Sequence, residues 1–202
     1  MYLVRPSYLI KKLYPKAVWR KDPDRKKIYL TFDDGPVPVV TEWVLDVLKE
    51  KNISATFFCV GENVEKNKAI FQRILQEKHA IGNHTYNHLN GWNTDTNQYI
   101  QNVEQCAAVA GTNLFRPPYG KLKKSQSARI AQRYSIIMWD VLSGDYDKET
   151  SPEKCLSNVV KNVRNGSIVV FHDSYKAQEK VMYALPRFID WAKENGFEFS
   201  VL

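Results

Sequence analysis

The chain has 202 residues, of which 44% are hydrophobic and 25% are charged, and its formal net charge at pH 7 is +7. This length and apolar content suit one folded domain with a sizeable core and exclude a disordered chain. The positive charge favours anionic partners, but the basic residues are scattered and no base-reading motif accompanies them, so we expect no nucleic-acid binding. The three cysteines are far apart in the sequence, which excludes a disulfide framework and a thiolate zinc site.

The first twenty residues contain several basic side chains, which leave no apolar stretch for a secretory signal peptide. No apolar run is long enough to form a transmembrane segment. We therefore expect a cytoplasmic monomer by default, and action in the periplasm or at the cell surface stays open. Residues 1–26 are expected to pack as an N-terminal segment on a main domain at 27–202, with contact to a membrane surface as the alternative.

Short apolar segments typical of strands alternate along the chain with longer segments of helical period. The expected strands lie at 27–33, 53–59, 79–83, 113–115, 135–139, 167–171 and 197–201. The expected helices lie at about 39–51, 64–77, 96–110, 124–133, 152–163 and 178–194. This alternation predicts a mainly parallel sheet with helices outside it. Seven strands suggest a closed or nearly closed α/β barrel, and an open doubly wound sheet is the alternative.

Polar side chains that could do chemistry follow five of the expected strands. In either architecture, ligands bind where strands pass into the following loops, so these residues should share one rim. In chain order they are Asp33 and Asp34, His84, Arg116, Asp140 and Asp145, and finally His172 and Asp173.

The adjacent carboxylates Asp33 and Asp34 end an apolar strand and precede Gly35-Pro36. Burying two carboxylates is costly unless each has a partner. Neighbouring residues in a strand point to opposite sides, but a turn at Gly35-Pro36 could bring both side chains to the rim. One carboxylate could then bind a cation while the other acts as a base. An Asp-Gly turn with a helix cap is the alternative interpretation.

His84 and His88 are four residues apart, which would place them on one face of a helical turn and let them chelate one metal ion. Together with one carboxylate they would form a three-ligand set with open positions, which is typical of a catalytic metal centre. Two surface or capping histidines are the alternative.

Three further segments complete the expected rim. The loop at 116–120 contains two prolines and a glycine, and this stiff backbone can fix the Arg116 guanidinium for a carboxylate and present an N–H group. Trp139, which opens an acidic and aromatic loop, could form the wall of a sugar site or belong to the core. His172 could serve as a general acid opposite a metal, whereas a lone histidine at a strand end is usually structural.

Together these motifs resemble the polysaccharide deacetylase family, the NodB-homology enzymes of carbohydrate esterase family 4. The resemblance covers the chain from about residue 27 to its end. It rests on TFDDG at 31–35, HTYNH at 84–88, RPPY at 116–119, DY at 145–146 and VFH at 170–172.

The resemblance implies a distorted (β/α)7 TIM-like barrel of the NodB type. It also implies hydrolysis of N-acetyl groups on a glycan that contains N-acetylglucosamine, of the chitooligosaccharide or peptidoglycan type, with that acetylated glycan as the partner. Three alternatives stay open: an O-acetyl esterase acting on xylan-type polymers, a hydrolase of non-sugar amides, and a catalytically inactive glycan-binding domain.

The resemblance further implies a role for each site residue. A divalent metal, most often zinc with Co²⁺, Ni²⁺ or Mn²⁺ as alternatives, would be held by Asp34, His84 and His88. Asp33 would be the general base oriented by Arg116, and His172 the general acid tuned by Asp145. Substrate contacts are expected from Tyr119, whose N–H would help to hold the oxyanion, and from Pro118, Trp139 and Val170. Tyr146 and Val170 replace the tryptophan and leucine that are usual in the family, which bears on substrate fit.

Overall fold

The computed structural model describes residues 3–202, and residues 1 and 2 of the expected N-terminal segment lie outside the described residues. The strands are β1 Lys27–Asp33, β2 Thr56–Cys59, β3 Ala80–Asn83, β4 Leu114–Phe115, β5 Ser135–Ile136, β6 Val141–Leu142, β7 Ser167–His172 and β8 Glu198–Phe199. The α-helices are α1 Tyr8–Leu13, α2 Val40–Glu50, α3 Gly61–Lys66, α4 Lys68–Gln76, α5 Thr96–Ala110, α6 Lys124–Ile130, α7 Pro152–Val160 and α8 Gln178–Glu194. Short 3₁₀ helices lie at Gly91–Asn93 and Pro118–Gly120.

All pairings between these strands are parallel, in the spatial order β5-β4-β3-β2-β1-β7-β6, and β8 pairs with the first residues of β1. The N-terminal segment links the β5 end of this curved sheet to β7, because Val18 pairs with Ile137, which follows β5, and Arg20 pairs with Ser167 of β7. The result is the distorted TIM-like barrel that the sequence predicts, with helices outside the sheet.

Alternation along β1 determines which of its side chains face the helices and which face the inside of the barrel. Ile28, Leu30 and Phe32 belong to the core that the strands share with the surrounding helices. Tyr29 belongs to a separate apolar cluster with Phe58 of β2. Because side chains alternate along a strand, Thr31 and Asp33 lie on the same side as Tyr29. The side chains on this inner side therefore pass from Tyr29, in an apolar cluster, to the carboxylate of Asp33 at the end of the strand.

The helices follow the sequence closely where end signals are clear. Helix α5 begins after Asp95, whose carboxylate accepts hydrogen bonds from the N–H groups of Asn97 and Gln98. It ends at Gly111, which takes the left-handed conformation with φ 62°. Of the helices in the described part of the chain, none combines the length and apolarity needed to cross a membrane.

Two segments differ from the sequence prediction. The expected helix at 64–77 is two helices, α3 and α4, which meet at Asn67 with a non-helical backbone (φ −124°, ψ 49°). The Asn67 side chain donates hydrogen bonds to the carbonyls of Pro36 and Asn63, and these bonds tie the break to the β1–α2 loop. The expected strand at 135–139 ends at Ile136, and a further short strand, β6, follows.

Candidate active site

A cavity of about 270 Å³ opens at the carboxyl ends of the strands. Eight of the expected site residues line it: Asp33, Asp34, His84, His88, Tyr119, Trp139, Val170 and His172. The remaining lining residues are Pro117, Gly120, Leu142, Tyr146 and Lys176. The five sequence motifs therefore meet at one site, as expected from parallel strands that end at the same rim.

Asp34, His84 and His88 form a compact set of possible metal ligands, since one donor atom from each lies within 4.8 Å of the others. Asp34 Oδ1 is 3.2 Å from His88 Nε2 and 3.7 Å from His84 Nε2. The Nδ1 atom of His84 is 2.8 Å from the carbonyl oxygen of Arg116. A proton on Nδ1 completes that hydrogen bond and leaves the Nε2 lone pair for a metal ion.

The ionisation of these ligands also suits a divalent metal. Burial lowers the pKa of His84 to about 4, so its imidazole is neutral at pH 7. Burial raises the pKa of Asp34, but the hydrogen bond with His88 and the charge of His172 outweigh burial and hold the pKa below its ordinary value. Two imidazoles and one carboxylate with open positions fit a catalytic divalent metal site.

The prediction that His84 and His88 lie on a helical turn is wrong. Residues 84–88 form a loop, in which Thr85 (φ 62°) and His88 (φ 55°) are left-handed. The side-chain oxygen of Asn102 in α5 accepts hydrogen bonds from the N–H groups of Tyr86 and Asn87. Helix α5 thus supports the loop from behind, and no signal in the histidine motif points to Asn102.

Asp33 and Asp34 both reach the cavity because the chain reverses at Asp34 itself, whose φ is 86°. The turn therefore begins one residue earlier than the Gly35-Pro36 turn we predict from sequence. Asp173 secures it from β7, where its buried carboxylate accepts hydrogen bonds from Gly35 N–H at 3.0 Å and from the Thr41 hydroxyl at 2.7 Å. The sequence places Asp173 at the rim without indicating this role.

The Asp33 carboxylate is held from inside the barrel by Arg116. Arg116 is fully buried, and its Nη1 lies 2.7 Å from Asp33 Oδ1 and 2.8 Å from Thr31 Oγ1. Its other nitrogens donate to the carbonyls of Ile137 and Met138. This set of acceptors fixes the guanidinium, and the guanidinium fixes one oxygen of Asp33. Arg116 therefore acts on the cavity through Asp33 and does not line it.

Asp145 holds His172, which ends strand β7 next to Asp33 of β1. The Nδ1 atom of His172 is 2.7 Å from one Asp145 oxygen, and the backbone N–H of His172 donates to the other. Burial alone lowers the pKa of His172, but the Asp145 carboxylate outweighs burial and raises this pKa to about 10. His172 is therefore protonated at neutral pH, with Nδ1 taken by Asp145 and Nε2 available as a donor.

The walls of the cavity are aromatic and apolar. Trp139 and Val170 line it as expected, and the Tyr146 ring meets the His172 ring edge-on at 5.0 Å between centroids. Tyr119 is 61% exposed and sits at the rim with φ 60°. Pro118 is buried and does not line the cavity, and Pro117 does so instead, because the 3₁₀ turn starting at Pro118 carries that ring away.

Asp140, which the sequence places on the same rim, is elsewhere. It is fully buried and forms ion pairs with Arg5 at 3.2 Å, Lys11 at 3.5 Å and Arg164 at 2.9 Å. Its neighbours include the N-terminal segment, and it does not line the cavity. The acidic residue that serves the cavity from this loop is Asp145.

The fold and these side chains form an α/β-barrel site in which an Asp–Arg pair, a His–Asp pair and a set of possible metal ligands surround one cavity. The sequence profile described as Polysaccharide deacetylase matches residues 20–137, which is more than half of the chain. The chain belongs to the polysaccharide deacetylase family, and its relatives named as deacetylases are hydrolases acting on carbon–nitrogen bonds other than peptide bonds.

The chain is similar to named enzymes over most of its length. It is 32% identical to a peptidoglycan-N-acetylglucosamine deacetylase from Bacillus cereus, over 95% of this chain and 94% of that protein. It is 30% identical to a chitooligosaccharide deacetylase from Azorhizobium caulinodans, over 79% of this chain and 80% of that protein. A crystal structure of the Bc1960 peptidoglycan N-acetylglucosamine deacetylase, in complex with 4-naphthalen-1-yl-N-oxidanyl-benzamide, superposes with a TM-score of 0.86, covering 98% of this chain and 95% of that one at 32% identity.

Proposed function

We propose that this protein is a metal-dependent deacetylase that hydrolyses N-acetyl groups on a glycan containing N-acetylglucosamine. The observation that carries the proposal is the arrangement around one cavity of the Asp34–His84–His88 donor set, the Asp33–Arg116 pair and the His172–Asp145 pair. The relatives named as peptidoglycan and chitooligosaccharide deacetylases support the same substrate class.

In this proposal each pair has one task. When bound by Asp34, His84 and His88, a divalent metal supplies Lewis-acid activation of water and of the acetyl carbonyl. Arg116 occupies Oδ1 of Asp33, and we assign Oδ2 of Asp33 as the acceptor of the proton that the attacking water loses.

His172 supplies the proton that the leaving nitrogen needs. Its Nδ1 is held by Asp145, so Nε2 is the donating atom. An amine leaves poorly as an anion, whereas the alcohol of an acetyl ester leaves more easily, so a proton donor at the His172 position matters more for cleaving an amide than for cleaving an ester. Two alternative functions, an O-acetyl esterase and a catalytically inactive glycan-binding domain, would be recognised by release of acetate from acetylxylan and by no release from any substrate, respectively.

Zinc is the metal we propose, because two imidazoles and one carboxylate are a common zinc ligand set. The aryl hydroxamate in the Bc1960 structure is a metal-chelating type of molecule, and this supports metal dependence in a relative of closely similar fold. The test is metal analysis of the purified protein, followed by reconstitution of chelator-treated protein with Zn²⁺, Co²⁺, Ni²⁺ and Mn²⁺. We further propose that the chain acts as a monomer, which light scattering on a sizing column tests.

The decisive test of substrate class is acetate release from N-acetylglucosamine oligomers, peptidoglycan, acetylxylan and a non-sugar acetamide. We expect release from the first two, with loss of activity after chelation. His172→Asn should reduce cleavage of an N-acetyl group at least about tenfold more than cleavage of an O-acetyl ester, because the leaving amine must be protonated whereas the alcohol of an ester leaves more easily. Preferential release from acetylxylan, unaffected by His172→Asn, would contradict the proposal.

A further inference from the structure

A second groove, of about 300 Å³, lies beside the catalytic cavity, and we call it the N-terminal groove. One wall is formed by aliphatic residues of the N-terminal segment, among them Leu3, Ile10 and Leu13. The groove and the cavity share Tyr119 and Trp139, together with three further lining residues. A molecule bound in the cavity therefore has the N-terminal groove as its immediate neighbour.

The N-terminal wall is an anchored part of the fold. Arg5 and Lys11 are ion-paired with Asp140, whose carboxylate is fully buried. The Tyr14 hydroxyl donates a hydrogen bond of 2.9 Å to the carbonyl of Leu122, which lies beyond the 3₁₀ turn at the cavity rim. Ion pairs to a buried carboxylate are costly to break, so the aliphatic residues between these anchors keep their place.

The wall that the N-terminal segment contributes differs from a sugar-binding cleft. Sugar hydroxyls require hydrogen-bonding side chains, whereas Leu3, Ile10 and Leu13 offer none, and the polar atoms of the groove are those of Lys121, the tyrosine hydroxyls and the tryptophan N–H groups of its aromatic wall. Leu3 is 54% exposed and Leu13 is 59% exposed, so both leave apolar surface in water. Removing such surface from water favours a bound hydrocarbon.

We propose that the N-terminal groove binds the hydrocarbon chain of an amphiphilic substrate, an N-acetylated sugar whose reducing end carries a lipid. The sugar occupies the catalytic cavity, and the chain extends past Tyr119 and Trp139 onto Ile10 and Leu13. This inference rests on the proposed deacetylase function for the sugar and adds the class of aglycone to it. In this inference the N-terminal segment binds part of the substrate.

The test compares the octyl and methyl β-glycosides of N-acetylglucosamine, both below the micelle concentration, with the full-length protein. We expect kcat/KM to be about tenfold or more higher for the octyl glycoside. Leu13→Asp should abolish most of that preference. Leu9→Asp is the matched control, because Leu9 is 74% exposed on the same helix but does not line the groove, and it should leave the preference intact.

Equal kcat/KM for the two glycosides would overturn the inference. An equal loss of preference in Leu9→Asp and Leu13→Asp would overturn it as well, in favour of a general apolar or membrane-facing surface. Calorimetric binding of octyl glucoside, which has no acetyl group, separates the two proposals. Binding that Leu13→Asp weakens supports the groove even if no sugar is deacetylated, whereas deacetylation without such binding supports the proposed function alone.

Discussion

Replacing Arg116 by methionine tests whether the buried guanidinium is the structural partner of the general base. The substitution keeps an unbranched apolar side chain of similar length but removes every donor. Asp33 is only 4% exposed, so its carboxylate would be left buried without its cation. Breaking one side of a buried ion pair costs about 3–5 kcal/mol.

Two variants bracket that expectation. Arg116→Lys keeps a positive charge but cannot reach all the acceptors that the guanidinium serves, so a smaller loss of about 1–3 kcal/mol is expected. Combining Asp33→Asn with Arg116→Met removes the unpaired buried charge. The double variant should have a free energy of unfolding about 1–3 kcal/mol higher than that of Arg116→Met alone.

The assay is urea unfolding of metal-free protein, followed by tryptophan fluorescence at pH 7, with zinc affinity measured on the same samples. His84 contacts the backbone oxygen of Arg116, not its side chain, so zinc affinity should change little in Arg116→Lys. The deacetylase activity of both Arg116 variants should fall at least about a hundredfold, because Asp33 loses the guanidinium that fixes its orientation. A decrease of less than about 1 kcal/mol in the free energy of unfolding of Arg116→Met would refute the reasoning, since burying an unpaired carboxylate costs more than that.

Two further predictions follow from the site. Asp145→Asn removes the charge that raises the pKa of His172 to about 10, so this pKa should fall and His172 should lose its proton at a lower pH than in the unaltered protein. The alkaline limb of the kcat/KM profile should then move to lower pH, and an unmoved limb would exclude His172 as the acid. Gly35→Ala places a Cβ atom 1.9 Å from Asp173 Oδ2 and should displace the loop that carries the metal-binding carboxylate, with at least about tenfold weaker zinc binding. Gly111→Ala is its control, because its Cβ meets nothing within 4 Å and only the left-handed backbone strain remains.

The sequence predicts much of this site because the motifs follow strands. One apolar run ends in Asp33-Asp34 and another ends in His172. Because the two runs form parallel neighbouring strands, their ends lie at the same edge of the sheet and the side chains come together there. The register confirms this, since Asp33 and His172 are paired residues on adjacent strands β1 and β7. The alternation within β1 likewise accounts for Thr31 and Asp33 sharing the Arg116 guanidinium.

The details that the sequence could not predict depend on contacts between distant segments and on local backbone conformation. Residues 84–88 form a loop in which His88 is left-handed, not the helical turn that the spacing of the two histidines suggests, and Asn102 of helix α5 supports this loop. Asp140 follows an expected strand, as the residues that line the cavity do, but Arg5, 135 residues away in sequence, pairs with it. The carboxylate of Asp140 therefore holds the N-terminal segment and takes no part in the cavity.

The most direct measurement of the central claim is a zinc titration of chelator-treated protein with an N-acetylglucosamine oligomer as substrate. Acetate and free amine should appear in equal amounts, and their rate should rise to a plateau at one zinc per chain. Asp33→Asn should bind the same amount of zinc yet release acetate at less than about 1% of that rate, because it lacks the base. Near-normal release by Asp33→Asn, or full activity without metal, would contradict the account.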